Sequence, residues 1–267
     1  MDNDVFSGTF ALVTGASSGL GEEFARQLAH RGCNLVLTGR SREKLETLAS
    51  DLARINGVAT RVVTADLSQP GGAEQLALIV DDLGITIDHL INNAGFGFAG
   101  SFAESDAQRQ TGMVRVNVES VVCLARHFLP GMVERDRGGI VNLGSTAAYQ
   151  PTPYMATYGA TKAFVLSFSA ALASELEKTN VRVLACCPGF VPTGFQSAAG
   201  VPQGSAPKLV QLEPNAVVQG ALDAYESRRV VYVPGAMNSV QTTLSKVLPR
   251  AFVVRAARYT MRKLDRP

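Results

Sequence analysis

No stretch of the chain approaches 18 uninterrupted apolar residues, so no segment has the length of a helix that crosses a bilayer. The amino end, MDNDVFSGTF, is acidic and lacks an apolar signal core, and neither export nor anchoring is expected from it. Neither sign of charge prevails. Lys and Arg number 25 against 23 Asp and Glu, so no global basic field calls for nucleic acid, although the last residues are locally basic. Cysteine is scarce as well: Cys33, Cys123, Cys186 and Cys187 have no metal-ligand spacing, which leaves no metal site expected. Three of the four fall in apolar runs and suit buried small hydrophobes of a reduced, cytoplasmic protein. Fixed-period repeats and low-complexity tracts are missing too. What remains is a chain of 267 residues, 46% hydrophobic, in which strand and helix patterns alternate, as in one α/β domain spanning 1–267.

Phe10 to Thr14 is a short apolar run of strand type that leads straight into Gly15, Ala16, Ser17, Ser18, Gly19, Leu20 and Gly21. Phe24, Ala25 and Leu28 then recur at helical spacing. Backbone amides at such a helix start can receive a pyrophosphate, and glycine lets it approach closely. The spacing G-x-x-x-G-x-G departs from the more general dinucleotide fingerprint, so taken alone the loop could be an ordinary tight turn. A second strand run, Cys33 to Thr38, ends at Gly39, Arg40, Ser41 and Arg42, where an NAD-selective protein would carry a carboxylate for the ribose hydroxyls. Arg40 offers a guanidinium fork there, which suits a 2′-phosphate and favours NADP; its plainer reading is a solvated arginine before a helix capped by Ser41.

Thr60 to Ala65 forms a third strand run, closing with Asp66 and Leu67. Asp66 could read an adenine amino group or cap its own loop. A helix is expected from about Gly72 to Leu83, a fourth strand over Ile87 to Ile91, and then Asn92, Asn93, Ala94 and Gly95, whose amides can tie strands together and line a cleft. A long helical region covers about Asp106 to Arg135, with polar Asn117 on the Met113, Val116, Ser120 and Leu124 face, where it needs a partner.

The stretch Gly144 to Lys162 carries the chemistry. Ser145 follows the apolar run Ile140 to Leu143, which puts it at the carboxyl end of a buried strand, where open α/β sheets place ligands. Tyr158 and Lys162 are four apart, so on a helix the ammonium lies near the phenol. Tyrosine titrates near pH ~10, and a neighbouring cation is one of the few ways to bring it towards neutral pH. Isolated, such a pair could equally be a surface contact; the phosphate-type loop upstream and the strand ending in serine argue for a site.

TGASSGLG at 14–21, NNAG at 92–95, Asn117, Ser145, Tyr158-x-x-x-Lys162 and Pro188-Gly189 with Thr193 together resemble the compact short-chain dehydrogenase/reductases, over about residues 8 to 235. Tyr158 follows Ser145 by 13 residues, in keeping with that pattern. The resemblance implies a doubly wound, Rossmann-type parallel sheet of about seven strands in the order 3-2-1-4-5-6-7. It implies Asn117, Ser145, Tyr158 and Lys162 as catalytic residues, with Asn117 holding a water that links Lys162 to solvent. For the cofactor it implies Gly15, Ser17, Ser18, Gly19, Leu20, Gly21, Arg40, Asp66, Leu67, Asn92, Ala94, Gly95, Tyr158, Lys162, Pro188 and Gly189, with Val191 and Thr193 at the nicotinamide carboxamide. The activity expected is reduction of a carbonyl with NADPH, Tyr158 acting as acid. An NAD-linked alcohol dehydrogenase and an idle NADP-binding scaffold or redox sensor are the alternatives.

Phe96, Phe98, Tyr149, Pro151, Tyr154, Met155, Phe190 and Phe195 give the expected pocket an apolar lining with no obvious cation, which favours a bulky uncharged carbonyl. Gln196 to Pro214 has the composition of a substrate lid. Small residues on the helix of Tyr158, with the family's habit, imply a homo-oligomer. Past Val230 to Val233, a last strand, the extension at about 236–267 reads as a separate helical tail, two helices bent near Leu248. Val240, Leu244, Val247, Ala251, Val254, Met261 and Leu264 form its apolar stripe among Lys246, Arg250, Arg255, Arg258, Arg262, Lys263 and Arg266. Such a stripe can pack on the protein's own body, meet a partner subunit, or make a weak peripheral membrane contact.

Overall fold

The computed structural model describes residues 5–201 and 211–261; the middle of the expected lid and the end of the tail, with Arg262, Lys263, Leu264 and Arg266, lie outside the described residues. Seven strands form one sheet: β1 (Phe10–Thr14), β2 (Asn34–Gly39), β3 (Thr60–Thr64), β4 (His89–Asn92), β5 (Gly139–Leu143), β6 (Arg182–Cys186) and β7 (Val231–Tyr232). Every pairing is parallel, in the order β3-β2-β1-β4-β5-β6-β7. The expected strand order is therefore met. The chain starts in the middle of the sheet, builds outwards to β3 and returns to β4, so the crevice outside the carboxyl ends of β1 and β4 is the switch point where such sheets take their ligands.

Helices cover both faces, which is why the strands read as unbroken apolar runs. On one face Val13, Leu35, Leu37 and Leu184 pack with α1 (Gly19–His30), α2 (Arg42–Asn56) and α8 (Pro214–Glu226) through Phe24, Leu28, Leu45 and Leu222. On the other, Leu12, Val36, Leu90 and Ile140 meet Leu76 and Val80 of α3 (Gly72–Asp82) and Leu124, Phe128 and Met132 of α5 (Ser120–Glu134). Alternation within β1 and β2 sends successive side chains to opposite faces. Leu12, Leu35 and Leu90 are fully buried, each worth about 1.5–3 kcal/mol relative to exposure.

Three departures bear on function. The helical region at 106–135 is not continuous: α4 (Ala107–Val114) and α5 are joined by one π-helical turn, Arg115–Glu119, centred on Asn117. A π turn shifts the hydrogen-bonding by one residue, here with the Ser120 amide on the Arg115 carbonyl. Part of the expected lid is ordered as α7 (Gly194–Ala199), capped by Thr193 and Gln196 in a reciprocal capping box. The tail bends at Leu248 as expected, between α9 (Ala236–Val247) and α10 (Arg250–Met261). It is not separate, however: Asn238 is buried against Gly189, and Ser245 Oγ donates to Gln150 at 3.3 Å.

Candidate active site

β5 delivers Ser145 in extended backbone (φ −170°), and its Oγ accepts from the Ala147 amide at 3.1 Å, starting a 3-10 turn over Thr146–Tyr149. Tyr158 lies in the first turn of α6 (Ala156–Glu175), where Gly159 lets Thr152 press against the helix. A hydrogen bond joins the Tyr158 and Ser145 hydroxyls. One turn on, Lys162 is 5% exposed; its Nζ donates to the Leu143 carbonyl at 2.5 Å and lies 5.9 Å from the Tyr158 ring centroid.

Asn117 finds the partners its position demands. Its Oδ1 accepts from the Phe96 amide at 3.1 Å, and its Nδ2 donates to the Phe96 carbonyl at 3.1 Å and to Thr161 Oγ1 at 3.0 Å. Both amide hydrogens are thus spent within the protein, so the side chain acts as a brace between the loop after β4 and α6. Asn117 and Lys162 still converge: a β-carbon on Gly95 would stand 3.1 Å from Asn117 Oδ1 and 3.5 Å from Lys162 Nζ. Glycine at 95 keeps that space open.

The electrostatics differ from expectation. Burial pushes the Tyr158 hydroxyl up to about 12, against which the Ser145 hydrogen bond pulls down, and burial pushes the Lys162 ammonium down to about 8. The physical reason is that desolvation disfavours the charged form of each, while Lys162 spends its nearest bond on a backbone carbonyl rather than on the phenol. Cys187, buried beside Ser145 and Tyr149, is itself raised to about 11 and so stays a neutral thiol.

The phosphate-type loop is held by a clip between β1 and β4. Thr14 Oγ1 accepts from the amides of Asn93 (3.0 Å) and Ala94 (2.9 Å), while Asn93 Nδ2 donates to the carbonyls of Thr14 (2.9 Å) and Gly15 (3.2 Å). A β-carbon on Gly21 would collide with the Gly15 carbonyl and the Asn93 amide, so α1 can start this close only with glycine there. Ser18, at the N-cap, makes no side-chain cap, which leaves the first amides of α1 facing the crevice. That cradle fits a dinucleotide pyrophosphate.

Arg40 is exposed at the end of β2, with no hydrogen bond or ion pair among the described residues; Ser17 sits beside it, its Oγ 3.4 Å from where a Gly39 β-carbon would be. Asp66 caps its own loop in this structure. Its Oδ1 accepts from Ser68 N (3.0 Å) and Ser68 Oγ (2.7 Å); burial alone would raise it, yet the bonds from Ser68 and Gln69 and the charge of Arg40 hold it below the usual carboxylate range. The Leu67 side chain belongs to the core and leaves only backbone for the cleft. Asn92 likewise turns inwards: its Nδ2 donates to Asn142 Oδ1 at 2.9 Å, and Asn142 Nδ2 to Ser169 Oγ at 2.9 Å, tying β4, β5 and α6. Pro188 O accepts from Thr146 N at 2.9 Å, Val191 is core, and Thr193 faces the start of α1, its Cβ 3.3 Å from a would-be Gly19 β-carbon. Asn93 ties the strands as its position led one to expect, whereas Asn142, Thr161 and Ser169 did not stand out in the sequence as site supports. Their signal, a polar residue at a strand end or on a buried helix face, is visible only once a partner is known.

On the substrate side, Tyr158, Met113 and Met155 pack with Phe96, Phe98 and Phe195, the Phe195 ring 5.4 Å from that of Tyr158. Tyr149 instead bonds Cys187, and Phe190 pairs with Gln211. Beyond Phe98 lies a cavity of about 140 Å³ lined by Phe102, Gln110 and Tyr154 among others. A cation missed in the sequence stands at its edge: Arg109 covers the Phe98 ring at 5.0 Å and donates to the Ala198 carbonyl of α7 at 2.7 Å.

The fold and this constellation define a nicotinamide-dinucleotide oxidoreductase. The sequence model described as short chain dehydrogenase matches residues 9–202, and the chain belongs to that family. It is 37% identical over 210 residues to the very-long-chain 3-oxoacyl-CoA reductase of Phaeosphaeria nodorum, covering 76% of this chain but 61% of that protein, less than two thirds of its length. It is 32% identical to the 7beta-hydroxysteroid dehydrogenase of Collinsella aerofaciens, covering 81% of this chain and 82% of that one. Among solved structures it resembles a short-chain dehydrogenase from Sphingobium yanoikuyae in complex with NADPH (TM-score 0.79, 32% identity, 91% and 97% covered). It also resembles one from Burkholderia phymatum in complex with NAD (TM-score 0.78, 28% identity, 90% and 93% covered).

Proposed function

We propose that the protein is an NADPH-dependent carbonyl reductase, acting reversibly on bulky, apolar ketones or aldehydes in the cytoplasm, as a homo-oligomer. The observation that carries this reading is the convergence of Ser145, Tyr158 and Lys162 at the carboxyl end of β5, opening on an aromatic and methionine lining. A bound nicotinamide supplies the hydride. Tyr158 donates its proton to the carbonyl oxygen, and its hydroxyl, raised to about 12, holds that proton at neutral pH until charge develops on the oxygen. Ser145 donates a hydrogen bond to the same oxygen and stabilises its charge. Lys162 orients the cofactor ribose, and Asn117 keeps the loop after β4 and α6 in register around it. The cradle at Gly15, Gly19 and Gly21 would hold the pyrophosphate, Arg40 a 2′-phosphate and Thr193 the nicotinamide end of the cofactor. Reductases of 3-oxoacyl thioesters and of hydroxysteroids among its relatives support an elongated, lipophilic substrate.

The test is a panel of ketones, quinones, steroids and acyl thioesters with NADPH, run on wild type and Tyr158→Phe. Turnover of at least one lipophilic carbonyl is expected, falling by about 10²–10⁴ in the variant while NADPH binding persists. Retained turnover in Tyr158→Phe removes the mechanism; NADPH binding without turnover of any panel member supports an idle scaffold instead.

A further inference from the structure

Helix α9 is built inside out. The side chains it turns to the protein are polar: Asn238 and Thr242 are 6% and 4% exposed, and Asn238 Nδ2 donates to the Pro234 carbonyl at 2.8 Å. The apolar residues face outwards. Met237, Val240, Leu244 and Val247, which form one stripe at steps of three and four, are 54%, 62%, 52% and 73% exposed. Beyond the bend, α10 buries Val253 and Ala257 but leaves Phe252 59% and Tyr259 82% exposed. The expectation that the stripe might pack on the protein's own body is thus overturned for α9.

Charge identifies what covers it. Arg250, Arg255 and Arg258 are all exposed, none is in an ion pair among the described residues, and no Asp or Glu lies between 236 and 261. A second copy pairing tail to tail would bring the same cations against these, at a cost that no acidic residue of the segment offsets. An anionic bilayer meets both demands: the stripe enters the headgroup boundary and the cations meet lipid phosphates and carboxylates. No helix among the described residues is long and apolar enough to cross a membrane, so the contact lies in the plane of the interface. We propose that α9 and α10 form a peripheral docking surface for anionic phospholipid. On its other side α9 rests against the turn 146–149, where Lys246 Nζ lies 5.0 Å from the Tyr149 ring centroid. Docking therefore holds the turn between Ser145 and Tyr158 about 10 Å from the lipid surface, one helix diameter.

Cosedimentation of the full-length protein with phosphatidylcholine vesicles, with and without phosphatidylserine, at low and high salt tests this. Pelleting with phosphatidylserine vesicles at low salt is expected, reduced at high salt and on phosphatidylcholine alone. Val240→Asp with Leu244→Asp should weaken binding at least tenfold. Arg250→Glu with Arg255→Glu should weaken it by roughly fivefold or more per cation and tests the surface without touching the stripe. NADPH binding and thermal midpoint check that each variant is folded, since Val240, Leu244, Arg250 and Arg255 are exposed and hold none of the core. Absence of pelleting at low salt, or undiminished pelleting by both variants, overturns the proposal. So does a fall in oligomeric mass for Val240→Asp with Leu244→Asp by light scattering, which would assign the stripe to a second copy of the chain.

Discussion

Burial acts on Tyr158 and Lys162 in opposite directions, raising the acid and lowering the base, so the pair is set by its surroundings and not by mutual attraction alone. Arg40 is the reverse case, an exposed residue whose geometry leaves its guanidinium uncommitted while Ser17 and the loop-capping Asp66 stand near it. A charge-assisted bond to a 2′-phosphate contributes about 1.5–3 kcal/mol, a factor of roughly 10 to 100 in selectivity. Wild type is accordingly expected to prefer NADPH over NADH, and Arg40→Ala to lose most of that preference through a raised KM for NADPH, with kcat nearly unchanged. Initial rates with both cofactors measure it. Equal use of the two by wild type would mean that Arg40 is a solvated helix-start residue and nothing more.

At the scale of elements, the strands were legible because a sheet covered on both faces demands apolar runs, and β1 to β5 fall where those runs are. The glycine loop, Ser145 and the Tyr158 and Lys162 spacing were legible for the same reason: each is local, fixed by a turn or by one helical step. The π turn at Asn117 was not, because its cause is tertiary, an amide shared between Phe96 and Thr161. Nor was the inward polar face of α9, since periodicity tells that a stripe exists but not which way it points. His89 was another silent residue, reading as one polar member of a strand. In the fold it joins β4 to α8 and to the amino-terminal segment, with Nδ1 2.7 Å from Tyr225 Oη and Nε2 3.0 Å from the Val5 carbonyl. Burial lowers it to about 4, outweighing the Val5 bond and the charge of Asp88, while Arg182 and Arg137 lower it further. The folded state therefore keeps His89 neutral where the unfolded chain binds a proton, so stability is complete above pH ~6.5 and is lost as pH falls towards 4. The loss is on the order of 3 kcal/mol. Urea midpoints between pH 7 and 4 should show that slope in wild type and a flatter one in His89→Gln, which is less stable at pH 7 but has no proton to take up. Parallel slopes would place the pH dependence elsewhere.

For the whole molecule, we propose that copies meet through the outward side of α6. Ala160, Ala163, Ser167, Ala171 and Ser174 all face outwards, so close packing on the chain's own sheet is not what their small size serves. Phe164, 38% exposed, stacks on Phe168 beside them with ring centroids 5.7 Å apart. A row of small side chains flanked by an aromatic pair is self-complementary across a twofold axis, where a second α6 can approach to about 8–10 Å and each phenyl pair can cover the other copy's row. This face belongs to α6 alone and carries none of the tail's cations, which makes the two surfaces separable by mutation. Light scattering at micromolar concentration is expected to give at least twice the 28.3 kDa of one chain. Ala163→Arg with Ala171→Arg, which sets bulk and like charge at the axis, should return the protein to one chain's mass without changing its vesicle binding at equal protein mass per lipid by more than the loss of avidity. Leu244→Asp should leave the mass alone. A wild type of one chain's mass would show that the small residues of α6 answer to some other demand.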